Sequence, residues 1–117
     1  MDERRAKPRL SVSLEAVWDG SSGNHPARIT NLSAGGCYLD TVGETLKGEV
    51  VCFRVLMPDD DWLYLEGEVR HHAVGKGFGV QFIDLDEEQE KEIDWLIRMT
   101  QESGREAAPI EASLVED

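Results

Sequence analysis

The sequence reads as a small, mainly β domain: a six-stranded antiparallel barrel, closed or nearly so, with one C-terminal helix. Three observations lead there. Short runs that favour strands recur at close spacing, several of them alternating apolar and polar residues. Clusters of Gly, Asn, Asp and Ser separate them. A single run with helical periodicity comes last, after Asp86. At 117 residues the chain is one domain with room for a modest core.

Residues 1–9 are charged and aperiodic, and read as a solvated, flexible N-terminal arm. Leu10 to Ala16 alternates strictly and forms the first strand. Asp19 to Pro26 is rich in turn formers and reads as a loop. Ala27 to Leu32 and Gly36 to Thr41 are short strands around the segment Asn31-Leu32-Ser33-Ala34-Gly35-Gly36, and Val42 to Gly48 turns again. Glu49 to Met57 is a stronger strand, ended by Pro58 and the turn Asp59-Asp60-Asp61. Three consecutive aspartates lack the spaced ligands that a hard cation needs, so the triplet reads as a solvated turn.

Trp62 to His72 is a long strand whose odd positions, Leu63 to Val69, face the core, with Tyr64, Glu66, Glu68 and Arg70 on the other side. The same alternation separates His71 from His72 and argues against a shared metal ion. Gly77 to Ile83 closes the sheet, with Phe78, Val80 and Phe82 inward. Asp86-x-x-Gln89 is a capping box, and Glu87, Glu88 and Glu90 suit the positive end of a helix dipole. Ile93, Leu96, Ile97 and Thr100 form the stripe that packs on the sheet, so barrel and helix span residues 10–103. Gly104 is expected to end the helix, leaving 104–117 as a flexible acidic tail.

The formal charge of −12 excludes whole classes of partner. So acidic a surface repels nucleic-acid backbones and anionic membranes, which are bound through clustered Lys and Arg. An anionic ligand must be held by a local basic cluster, and Arg4 to Arg9 is the main one. No apolar leader or membrane-length run is visible, which points to a cytoplasmic protein. Cys37 and Cys52 lie in apolar runs and read as reduced core residues, not as a disulfide or part of a zinc site. No general base, nucleophile or oxyanion arrangement is apparent, so the chain is not read as an enzyme, and no cofactor or metal is expected.

Asn31 and Ser33 share one side-chain phase of an extended segment. The pair Gly35-Gly36 allows positive φ and close approach of a partner to bare backbone. A hairpin corner would use the same residues. Arg5-x-x-x-Arg9, followed by Asn31-x-Ser33-x-x-Gly36, resembles the PilZ domain, the bacterial receptor module for cyclic di-GMP. The closing run Gly77 to Leu85 is similar to the family's last strand, and the resemblance spans roughly Glu3 to Met99. It implies the barrel-and-helix fold and a cyclic di-GMP site at Arg4, Arg5, Arg9, Asn31, Ser33, Gly35 and Gly36. Arg70, on the polar phase of its strand, is a less certain helper at the same site, with a surface salt bridge to Glu66 or Glu68 as its alternative. The family often has Asp in place of Asn31.

The chemistry suits that ligand. An arginine fork donates paired hydrogen bonds to a phosphate or to guanine O6 and N7, and its flat face stacks on purines. Asn31 and Ser33 offer acceptors to guanine's donor edge. The resemblance implies ligand-dependent signalling to an unidentified effector protein. Arg4, just before the first motif arginine, leads to an expectation of two stacked ligand molecules. The alternative is a PilZ-like adaptor that binds a protein and no nucleotide. An RNA-binding barrel is disfavoured by the charge and by the lack of aromatic residues interleaved with basic ones.

Overall fold

A computed structural model describes residues 9–20 and 23–115. Six strands, β1 (Leu10–Gly20), β2 (Gly23–Ser33), β3 (Gly36–Asp40), β4 (Val50–Leu56), β5 (Trp62–Ala73) and β6 (Gly77–Phe82), precede one helix, α1 (Glu87–Val115). The strands form a closed barrel in the order β1-β2-β3-β6-β5-β4, every neighbouring pair antiparallel, with β1 pairing back onto β4. Closure leaves no free sheet edge.

Alternation decides which side chains fill the barrel. In β4, Val51, Phe53 and Val55 are buried, and in β6 Phe78, Val80 and Phe82 are. Each such side chain taken from water contributes roughly 1.5–3 kcal/mol. Trp18 is the largest fully buried side chain. Its ring stacks on His25 at 4.6 Å and meets Phe78 edge-on at 4.9 Å. Its indole Nε1 donates to Thr41 Oγ1 at 3.0 Å, and that hydroxyl donates to the Pro26 carbonyl at 2.9 Å. A buried indole N–H needs such an acceptor.

The helix starts as its capping box dictates. Gln89 N donates to Asp86 Oδ1 at 2.7 Å, and Asp86 N to Gln89 Oε1 at 2.8 Å. Ile93 and Leu96 are buried in the barrel's own core cluster, with Trp95 and Ile97 packed against it.

Three expectations change, and one side chain departs from simple alternation. The stretch expected to be a loop after Asp19 is largely strand: Asp19 pairs with Asn24 and Gly20 with Gly23, so β1 runs on to Gly20 and β2 begins at Gly23. Turn formers there do not prevent pairing of the described residues. Gly104 does not end the helix, and the segment expected as a tail lies within α1 as far as Val115. A helix-interior glycine costs about 1 kcal/mol relative to alanine but does not itself impose an end. Cys37 is buried in the core, but Cys52 is exposed, because it occupies the outward phase between Val51 and Phe53. His71 is exposed although strict alternation from Val69 would turn it inward.

Candidate functional site

The change at His71 comes from a shift in strand register. Val69 pairs with Val80 and His71 with Gly79, so Arg70 is one residue more than β6 matches. Such a bulge re-aims side chains. Here it lets consecutive residues, Arg70 and His71, line one cleft. A second shift, between Ile29 and Asn31 on β2, sets Asn31 opposite Tyr38 on β3. A third lies between Ser11 and Leu14 on β1, close to where Ser11 pairs with Asn31. Regular pairing gives way where the sequence motifs meet.

The cleft has a volume of about 720 Å³. Arg9, Ser33, Gly35, Gly36 and Arg70 of the expected site line it, joined by Tyr38, Lys47, His71 and Gln81. Asn31 is not part of the lining, but its Oδ1 accepts a 2.7 Å hydrogen bond from Arg9 Nη1. That bond ties the first motif to the second across 22 residues of sequence. Arg70 Nη1 donates to Gln81 Oε1 on the neighbouring strand, so its partner is not Glu66 or Glu68. Arg4 and Arg5 lie outside the described residues.

Ser33 and Gly36 do structural work that their motif alone does not reveal. The Ser33 hydroxyl accepts from Gly35 N at 3.3 Å and donates to the Gly36 carbonyl at 3.4 Å, which closes the β2–β3 turn. Neither Gly35 nor Gly36 has positive φ, contrary to expectation. The demand on Gly36 is one of space, since a Cβ there would lie 2.2 Å from the Val80 carbonyl oxygen. Only a bare backbone lets β3 approach β6 so closely.

Lys47 had no signal in the sequence, where Leu46-Lys47-Gly48-Glu49 reads as an ordinary turn. Gly48 sits at φ 94° in that turn, and Glu49 N donates to the Leu46 carbonyl at 3.0 Å. Hydrogen bonds from Gly48 N to Val69 O and from Val69 N to Glu49 O, both 2.8 Å, then tether the turn to β5 beside Arg70. The Glu49 carboxylate accepts from Thr45 Oγ1 and from Leu46 N, and these bonds hold its pKa below the usual range. Burial, and to a lesser degree the Asp40 carboxylate, push the Tyr38 phenol up, so it stays neutral in the cleft.

The charge pattern of the lining is one-sided. Arg9, Lys47 and Arg70 line it, and among the described residues no Asp or Glu does. The whole sequence has 24 acidic residues against 12 Lys and Arg. Cations gathered without carboxylates make a positive local field that attracts anions. Among the described residues, no group of three or more His, Cys, Asp or Glu could hold a metal ion, and no helix is long and apolar enough to cross a membrane.

Comparison with known proteins places this architecture. The chain is similar to the PilZ domain with c-di-GMP of YcgR from Escherichia coli, with a TM-score of 0.78 and 15% identity over 91% of this chain and 98% of that one. It is also similar to the Bacillus subtilis inhibitor of motility, MotI/DgrA, with a TM-score of 0.68 and 16% identity, covering 85% of this chain and 52% of that one. The PilZ domain of CeSA from a cellulose-synthesizing bacterium aligns with a TM-score of 0.61 and 22% identity over 80% and 94% of the two chains. No curated protein sequence matches. The PilZ domain family's sequence profile, however, matches residues 3–99, the whole barrel and the helix as far as Met99, and the chain therefore belongs to the PilZ domain family.

Proposed function

We propose that this chain binds cyclic di-GMP in the cleft between β3, β5 and β6, and that binding signals to a partner protein. The observation that carries this reading is the lining itself: among the described residues, three cations and no carboxylate, in a chain of net charge −12. Its volume of about 720 Å³ falls in the usual range for small-molecule sites. The similarity to a PilZ domain with c-di-GMP supports the choice of ligand. Arg9 supplies a fork for phosphate or guanine, oriented by Asn31. Lys47 and Arg70 add positive charge on the other lining segments.

Arg4 and Arg5 belong to the same proposal through their sequence positions. Arg5→Ala is expected to weaken binding about 30- to 1,000-fold, the loss of a charge-assisted contact worth roughly 2–4 kcal/mol. Ordering about seven residues of an arm costs on the order of 7–14 kcal/mol, so several such contacts must act together. Arg4 adds a flat cation beside Arg5, able to cover a second guanine face and to offset the charge of a second ligand. Two stacked molecules per chain are therefore proposed, with Arg4→Leu shifting binding toward one.

The test is calorimetric titration of cyclic di-GMP, with GTP and cyclic GMP as controls. Saturable binding of the dinucleotide alone, at a ratio near two, supports the proposal. A ratio of one overturns the stacked pair. No binding overturns the receptor reading and leaves a PilZ adaptor that engages protein only.

A further inference from the structure

Tyr38, Gly79 and His71 lie side by side across three strands. Tyr38 is paired with Gly79 between β3 and β6, and His71 with Gly79 between β5 and β6. Cys37 and Leu39 point into the core, as do Phe78 and Val80, so Tyr38 and Gly79 occupy the outward phase. The extra residue at Arg70 brings His71 to the same outer face. A Cβ on Gly79 would lie 3.2 Å from His71 Cδ2 and 3.5 Å from Tyr38 Cδ1. Two planar rings therefore flank one side-chain-free position, and all three residues line the cleft.

Phosphate recognition has no use for this arrangement. An anion is served by Arg9, Lys47 and Arg70 in the same lining. Two aromatic rings beside bare backbone suit a flat π-system, because every base has a face that stacks on such rings. The missing side chain at Gly79, itself buried, lets both rings lie in close against the sheet, while His71 is exposed and Tyr38 half-exposed toward the cleft. We propose that the Tyr38–Gly79–His71 row is a seat for a purine base, stacked on the two rings that Gly79 allows to lie side by side. The inference rests on the cyclic dinucleotide reading of this cleft, and it adds residues that neither the arginine motif nor the Asn-Ser-Gly motif contains.

The test uses the full chain titrated with cyclic di-GMP. His71→Leu and Tyr38→Leu are each expected to weaken binding by roughly 5- to 100-fold, the loss of stacking on one ring. His71→Phe and Tyr38→Phe keep a flat ring and are expected to stay within about threefold of the native affinity. Proton NMR of the native chain, which avoids any folding defect in a variant, should show the ring protons of both residues shifted upfield at saturating ligand. Leucine variants that bind like the native chain, phenylalanine variants no better than leucine ones, or ring resonances unmoved at saturation each overturn the seat while leaving the receptor reading intact. A native chain that binds no dinucleotide overturns both.

Discussion

Two clefts open on the outer wall of the barrel, and their charges are opposite. The cleft at β3, β5 and β6 is lined by Arg9, Lys47 and Arg70, with no carboxylate among the described residues. The cleft at β1, β4 and β5, about 410 Å³, is lined by Asp19, Glu66, Asp84 and Asp86, with Arg54 as its one cation. Arg54 is itself engaged, its guanidinium 5.0 Å from the centre of the Trp62 ring. The difference teaches that a net charge of −12 describes the average surface and not the site. Carboxylates crowd one wall and are kept from another, so an anion is drawn to one cleft and repelled from the other.

The largest expected effect separates the two clefts by their arginines. Arg9→Ala should weaken cyclic di-GMP binding about 30- to 1,000-fold, because a charged contact worth roughly 2–4 kcal/mol is lost with its ligand group left unpaired. Arg54→Ala should leave affinity within about twofold, since an arginine remote from the ligand contributes only screened attraction. Equal losses in calorimetry would erase the distinction. Equal indifference would place the ligand elsewhere.

Next in size is Gly36→Ala, which probes the wall of the cationic cleft. Its Cβ would meet the Val80 carbonyl oxygen at 2.2 Å, so β3 and β6 must separate. A destabilisation of about 1–3 kcal/mol in urea unfolding is expected, and more from Gly36→Val. Ser33→Ala follows at about 1 kcal/mol, for hydrogen bonds that close the β2–β3 turn. That loss should appear in stability as well as in affinity. A loss confined to affinity would show that the hydroxyl serves the ligand and not the turn.

The smallest effect reads the field of the acidic cleft. Burial, the Glu66 carboxylate and Asp19 raise the pKa of the exposed Cys52 thiol. A raised pKa means less reactive thiolate at a fixed pH near 8. Glu66→Gln lowers that pKa and should speed alkylation by iodoacetamide a few-fold. Cys37 should remain unmodified in the folded chain, being buried, with its pKa raised by that burial. An unchanged rate in Glu66→Gln would show that burial and Asp19, not Glu66, control the thiol.

Several features could be read from residue order because their causes are local. The Asp86–Gln89 capping box, the alternation of Leu65, Gly67 and Val69, the inward set Phe78, Val80 and Phe82, and the Asp59–Asp61 turn each depend on neighbours a few residues apart. Arg9, Ser33, Gly35, Gly36 and Arg70 were visible as motif residues or as a polar strand position, and the structure gathers them in one cleft. The sequence by itself determined this inventory of elements and charged groups, since alternation, capping and turn formation operate along the chain.

Only the tertiary structure decided what completes the cleft. Period-two alternation continued past Val69 would turn His71 inward, and the one-residue shift at Arg70 keeps it at the surface, because register is set by the pairing of β5 with β6. Lys47 is an unremarkable turn residue until Gly48 and Glu49 bond to Val69. The role of Gly36 as a spacer needs Val80, 44 positions away, at its side. Each of these is a contact between segments distant in sequence. Local periodicity fixes which face a side chain takes within one strand, but not which strand lies beside it or by how many residues the two are offset.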